Sequence, residues 1–328
     1  MTTVAEKRIT EDMRNRTAYR SKAMRGKGRI LAGEKDAARI PYREGITLDI
    51  ERARLVARGY REAEALGEPP VLQRARGIAK LLDNMTLYIL PDERIIGNVN
   101  SKPNSVITYP ELWWRWLDKA LDKDYKTLVS DEERGELHEI HKYFSNKAVH
   151  GMERKLLPEE VLPYWFYNNH GAVSWLHGGR TGIANYEKVF RLGLNGILEE
   201  IKERLKRLDS NPNEYLAADY LEKKQFLQAA ILSLEAGIRY GQRWAERLRA
   251  EAQKEENEKR REELEEMAWV CEQVPANSAR TLHEALQCYW FIFLITRILD
   301  LQTPGGGDRF DQIMYPFYKK DVEEEKRL

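Results

Sequence analysis

The chain has 328 residues, 54 of them Lys or Arg and 53 Asp or Glu, and its net charge of +1 offers no global field that would draw it to nucleic acid or an anionic membrane. Charged residues make up 33% of the sequence, which predicts a well-solvated surface, and two cysteines, Cys271 and Cys288, exclude a disulfide framework and suit a reducing compartment. The first nine residues hold no apolar run of the kind a secretory signal needs, so a cytoplasmic location is expected.

Residues 1–45 read as a polar, basic arm carrying Arg14, Arg16, Arg20, Lys22, Arg25, Lys27 and Arg29. Such clusters can track phosphates, but a solvated arm packed on the scaffold or on a second subunit is the plainer reading. From Ile46 to Tyr60 the spacing of Ile50, Ala53, Ala57 and Tyr60 predicts a helix with Thr47 as its cap. Pro69 and Pro70 interrupt the chain, and a second helix follows from Val71 to Met85. Leu87 to Leu90 reads as a short strand closed by the turn Pro91-Asp92-Glu93, and Ile95 to Asn98 as another.

Between Tyr109 and Tyr167 the aromatic residues, among them Trp113, Trp114, Trp116, Tyr143 and Phe144, have no basic groove interleaved with them and are assigned to packing. His138 and His141 are spaced i, i+3 but lack the His-Glu-x-x-His pattern, so they read as two surface histidines. The stretch from Asn168 to Gly182 is too rich in glycine for a helix. An amphipathic helix resumes from Tyr186 to Leu205. Leu227, Ile231, Leu234 and Ile238 form a helical seam, and Glu251 to Glu266 is a charged, solvent-facing helix laced with i, i+4 pairs.

The last fifty residues organise the rest. Thr281 and Glu284 have capping-box spacing, which predicts a helix starting at about Thr281. From Ala285 to Leu299 apolar residues cover nearly the whole circumference, so this helix should be buried on all sides. It falls short of the about 20 apolar residues that a membrane span requires and carries Arg297. Pro304 and Gly305 to Gly307 then break it, in a loop flanked by Thr303 and Asp308. A buried helix emptying into a glycine loop has the makings of a site wall.

The ordered set of Pro275-x-x-x-Ala279-Arg280-Thr281-Leu282-His283-Glu284-Ala285-Leu286-Gln287, an aromatic run, a glycine turn and Arg309-Phe310-Asp311-Gln312 with Tyr315-Pro316 resembles the pyruvate formate-lyase-type domain of glycyl radical enzymes. Glu51-Arg52-Ala53 and the Pro91 to Asn98 turn extend the resemblance over most of the chain. It implies a mainly α portion with a few short strands, the N-terminal part of a ten-stranded α/β barrel. The whole of 1–328 would be an incomplete domain of this type: the arm 1–45, and a scaffold 46–328 carrying the first barrel strands. The resemblance also implies a homo-oligomer, a small-molecule substrate and a radical S-adenosylmethionine activating enzyme as partner.

Dehydratase-like members carry Gly-Pro-Gly-His in the loop before the helix that matches Lys188 to Leu194; here Gly182 stands at the histidine's place. A buried substrate hydroxyl needs a partner, so a small diol is disfavoured. Trp175, His177 and Arg180, with Thr303 and Asp308 across the chamber, are the candidate substrate-binding residues, and Arg180 can hold a carboxylate in a bidentate contact. An arginine pairing with a scaffold carboxylate is the competing reading of Arg180.

The family's cysteine loop and its Arg-Val-x-Gly-Tyr radical segment are absent from this sequence, and Cys271 and Cys288 read as small core residues. No catalytic, metal or cofactor-binding residue is therefore assigned to it, and the glycyl radical is expected on a segment not contained here. Two functional readings follow. One is part of a radical lyase cleaving a C–C or C–heteroatom bond of a small carboxylate-bearing substrate, aryl ones included; hydrocarbon addition to fumarate also fits the resemblance. The other is a non-catalytic helical scaffold or a subunit of a split enzyme.

Overall fold

A computed structural model describes residues 47–326, apart from 92, 104, 113–114, 124–125, 149–151, 153–154, 161–164, 167–172, 175–183 and 301–308. The basic arm lies outside the described residues. What is described is mainly helical, with two small two-stranded parallel sheets.

Strand β1 (Thr47–Asp49) pairs in parallel with β2 (Ser105–Ile107), Thr47 opposite Ser105 and Asp49 opposite Ile107. The expected helix from Ile46 therefore begins later, as α1 (Glu51–Ala65), and Thr47 is a strand residue rather than a cap. The buried Asp49 makes the junction, its carboxylate accepting from the amides of Glu51 at 2.9 Å and Ser101 at 2.5 Å. Helix α2 (Pro70–Asn84) starts with proline in its first turn, where the missing amide costs nothing. Helices α1 and α2 approach closely at Gly59 and Gly77: a methyl group on Gly59 would sit 2.6 Å from the Arg76 carbonyl.

Helix α3 (Arg115–Leu121) packs on α4 (Asp131–Phe144), which opens with a complete capping box from Ser130 and Glu133. Strands β3 (Trp165–Phe166) and β4 (Val173–Ser174) pair in parallel, so the glycine-rich stretch holds a two-residue strand. Helix α5 (Tyr186–Ser210) is capped by Asn185 and antecedes α6 (Ala217–Ala252), the longest helix described. The expected continuous charged helix breaks between Ala252 and Asn257; Asn257 caps a new helix, α7 (Glu258–Gln273), which buries Glu263, Leu264 and Met267.

Helix α6 is the spine, packed against α2, α5 and α7. Its deepest stripe is not the Leu227 to Ile238 seam, whose members are half-buried, but Ala236, Tyr240, Trp244, Ala245 and Leu248. With Leu81, Leu82, Phe144, Met267 and Phe291 they make one large core, each large side chain contributing roughly 1.5–3 kcal/mol by leaving water. A second cluster joins Tyr186, Val189, Phe190, Cys288, Ile292 and Met314 around the C-terminal helices.

The strands expected at Leu87–Leu90 and Ile95–Asn98 do not form. Side chains take the place of a ladder there. The amide of Leu90 donates to Glu93, the carbonyl of Thr86 accepts from Asn98, and both polar groups of Ile96 bond to Gln287.

Candidate functional site

Helix α8 (Leu282–Phe293) runs on into a π-helical segment, Leu294–Leu299. Its start follows from Thr281, whose hydroxyl accepts from the Glu284 amide at 3.2 Å. The other half of the expected capping box does not form. The Glu284 carboxylate accepts instead from the amide and guanidinium of Arg280, at 2.6 and 2.7 Å. None of the described side chains from Leu282 to Asp300 is exposed, in keeping with the all-round apolar pattern.

Two polar fastenings hold this buried helix in place. At mid-length, the fully buried Gln287 amide accepts from the Ile96 amide and donates to its carbonyl, both at 2.9 Å, while Trp290 Nε1 donates to the Gly97 carbonyl at 3.3 Å. At the far end, Arg52 of α1, 2% exposed, donates through Nε and Nη2 to the Leu299 carbonyl at 2.9 and 2.6 Å. Its Nη1 donates to the Thr108 carbonyl at 3.0 Å, and the fork closes on Glu111 at 3.2 and 2.5 Å. Tyr109 lies under the guanidinium, 4.2 Å from centre to centre, and its hydroxyl donates to the Ile298 carbonyl. A π-segment's loose carbonyls are thus collected by one buried cation and one phenol. Next in sequence, Asp300 accepts from Arg74 at 3.0 Å, and burial raises its carboxyl above the usual range against the pull of that arginine.

The substrate is expected on two stretches, 168–182 and 303–308. All five candidate substrate-binding residues, Trp175, His177, Arg180, Thr303 and Asp308, lie outside the described residues, as does Gly182. The residues that lead out of both stretches are described, and they meet. Tyr186, just after 175–183, packs on Tyr289 of α8 with ring centres 4.5 Å apart and planes tilted by 31°; Phe310, just after 301–308, meets Tyr289 edge-on at 5.0 Å. Phe310 opens helix α9 (Phe310–Tyr318), and Phe317 of that helix packs edge-on against Phe190 at 5.5 Å.

The stem at Tyr186 is itself pinned from behind. Gly193, inside α5, has φ 65° and ψ 177°. This breaks the helix so that the amides of Leu194 and Asn195 donate to the carbonyls of Pro275 and Ala276 at 2.8 and 2.9 Å, and the Ala279 amide donates to Phe190.

Comparison with known proteins agrees with this architecture. Residues 20–328 match the family model described as pyruvate formate lyase-like. The chain belongs to that family. Among its curated relatives it is 31% identical over 293 residues to isethionate sulfite-lyase of Oleidesulfovibrio alaskensis, covering 84% of this chain and 34% of the relative. It is 29% identical to trans-4-hydroxy-L-proline dehydratase of Clostridioides difficile, covering 84% of this chain and 35% of the relative. Among solved structures it superposes on the B12-independent glycerol dehydratase of Clostridium butyricum with a TM-score of 0.71 at 30% identity, over 84% of this chain and 35% of that one. A glycyl radical enzyme from Archaeoglobus fulgidus gives 0.72 at 28% identity, over 86% and 36%. The chain thus spans about a third of the length of the relatives it matches.

Within this pyruvate formate lyase-like chain the two cysteines are core residues. Cys271 is 2% exposed and Cys288 fully buried, and burial pushes both thiols up, away from the thiolate. The histidine pair departs from its surface reading: His141 is buried, and only His138 is partly exposed. Among the described residues no helix is long and apolar enough to cross a membrane.

Sequence reasoning noted the motifs containing Arg52 and Gln287 but gave neither residue a role. The signal was present in both cases: a charged and an amide side chain at positions where the helical pattern demands burial.

Proposed function

We propose that this chain forms one wall of the substrate chamber of a glycyl radical lyase that cleaves a C–heteroatom or C–C bond of a small, carboxylate-bearing substrate, aryl carboxylates included. The carrying observation is the meeting of both loop stems on Tyr289, in a chain of this family. Tyr186 follows the glycine stretch with Trp175, His177 and Arg180 in the chain, and Phe310 follows the stretch with Thr303 and Asp308, so their shared contact with Tyr289 supports a reading in which residues from both stretches face one substrate.

The family's chemistry supplies a glycyl radical, passed through a cysteine, that removes a hydrogen atom from the substrate; neither motif occurs in this sequence. What this chain's residues contribute is position. The Arg180 guanidinium would hold the carboxylate in a two-point contact, Trp175 would cover an apolar or aryl face, and His177, Thr303 and Asp308 would meet the substrate's polar groups. Glycine at 182 and at 305 to 307, which carries no side chain, would leave room for a substrate larger than a diol. Several relatives bear names that specify a sulfite-lyase or a dehydratase, which are C–heteroatom cleavages, and this supports the same reaction class here.

The test is reconstitution with the segments carrying the cysteine loop and the radical glycine, activation by a radical S-adenosylmethionine enzyme, and assay against a panel of hydroxy acids, aryl acids, sulfonates and diols. A glycyl doublet in electron paramagnetic resonance and turnover of a carboxylate are expected, with Arg180→Ala raising KM at least tenfold. Turnover of neutral diols alone, or unchanged KM in the variant, overturns the substrate assignment. Absence of any radical after activation favours a non-catalytic scaffold.

A further inference from the structure

We infer that Asp118, His138 and His141 form a binding site for one divalent transition-metal ion of the zinc type, where α3 meets α4. His138 and His141 lie one turn apart on α4, and α3 brings Asp118 between them. The Asp118 Oδ1 atom is 2.7 Å from His138 Nδ1 and 2.9 Å from His141 Nδ1, and one donor atom from each residue falls within 4.8 Å of the others.

Two imidazole nitrogens and a carboxylate oxygen are the donor set that zinc, cobalt, nickel and copper share, and that magnesium and calcium do not favour. A tetrahedral ion with bonds of about 2.0–2.1 Å needs donor atoms about 3.3 Å apart. The two Asp118 contacts have hydrogen-bond spacing, so the carboxylate must withdraw by roughly half an ångström, and the two imidazole nitrogens, which lie within 4.8 Å of each other, must settle at the tetrahedral spacing as the ion takes the place of the intervening protons. Asp118 can do so: its side chain is 33% exposed, and that of His138 31%. The same opening gives the ion an entry path and leaves a fourth position for water. His141, 1% exposed, is the fixed point on which the site is built.

The outer contacts carry the argument beyond a chance cluster. The second ring nitrogen of His138, Nε2, faces Asp122 Oδ1 at 3.2 Å, and Arg134 lies 3.7 Å from that carboxylate. A carboxylate behind the far nitrogen of a ligating histidine sets the tautomer that leaves the near nitrogen free for metal, and it raises that nitrogen's basicity.

Calorimetric titration of the chelator-treated 328-residue chain with zinc, and visible absorption of its cobalt form, test the assignment. One ion per chain is expected at micromolar affinity, with a tetrahedral cobalt spectrum. His138→Ala should weaken this binding at least 100-fold and Asp122→Asn roughly 10-fold, while His283→Ala, on a different helix, should change nothing. No binding, or one site that persists unchanged in His138→Ala, overturns the inference. Circular dichroism checks that each variant folds; should His138→Ala fail that check, unchanged affinity in Asp122→Asn overturns the inference by itself.

Discussion

Replacing Arg52 by Met removes the cation that fastens the far end of α8 and its π-segment while keeping the side chain's length and apolar stem. In the native protein the guanidinium makes two bonds to Leu299, one to Thr108 and two to Glu111, all in a pocket where Arg52 is 2% and Glu111 10% exposed. The variant leaves Glu111 as an unpaired, nearly buried carboxylate, a change that typically costs about 3–5 kcal/mol. Loss of the bonds to the carbonyls weighs less, because a carbonyl deprived of one partner is the milder orphan. Thermal unfolding should register this as a fall in Tm of about 4–7 °C, because an unfolding entropy of about 2.1 cal/mol/K per residue makes each kcal/mol worth about 1.5 °C at this chain length. Hydrogen exchange should quicken most at the π-segment Leu294–Leu299. The second substitution Glu111→Leu in the same chain should recover a good part of the loss, since it removes the stranded charge. A Tm within about 2 °C of the parent for Arg52→Met would refute the view that this ion pair fastens the π-segment.

Two further substitutions follow from the same contacts. Gly193→Ala asks a residue with a side chain to adopt φ 65° and puts its Cβ 2.4 Å from the Ala276 carbonyl oxygen and the Asn277 Cα, so it should destabilise by about 3 kcal/mol or more, read as a lowered urea midpoint; a shift equivalent to under about 1 kcal/mol would mean the α5 kink is not fixed by the segment behind it. Glu266 accepts from His283, which with Arg94 holds its carboxyl below the usual range, so its contribution is present above the ordinary carboxylate pKa and disappears as pH falls through the lowered one. Because Glu266 is half exposed, Glu266→Gln should cost less than about 1 kcal/mol at pH 7, and its unfolding curve should merge with the parent's in acid; a gap that widens in acid would reverse the sign assigned here.

What could be read in advance was whatever local chemistry decides. The start of α8 at Thr281, the return to helix after Pro69-Pro70, the all-round burial of the last long helix and the core placement of both cysteines follow from neighbours within a few residues, and the structure agrees with each. The misreadings fall where a distant partner overrides a local preference. Leu87-Tyr88-Ile89-Leu90 has strand composition, but the backbone hereabouts is met by Asn98, Glu93 and Arg260 rather than by a second strand. The helix through Gly193 looked continuous because its reason to break, the carbonyls of Pro275 and Ala276, lies some 80 positions away. Likewise the His138 and His141 spacing was legible, while Asp118, which turns two histidines into a three-donor cluster, belongs to another helix. The candidate substrate residues fall on the very stretches for which local pattern says least, glycine-rich loops with neither period nor cap.

Glycine-rich sequence such as Gly178-Gly179 or Gly305 to Gly307 supplies little local order of its own. The described stems that follow these stretches are held by contacts independent of the sequence between them: aromatic packing of Tyr186 and Phe310 on Tyr289, backbone pairing behind Gly193, and a buried arginine on the Leu299 carbonyl. Each acts on main chain or on ring faces, so a relative can change the residues between the stems without disturbing what holds the stems together. Likeness over this third of the molecule extends with nearly equal strength to a sulfite-lyase and to a dehydratase, as expected where the shared contacts do not depend on the residues between the stems.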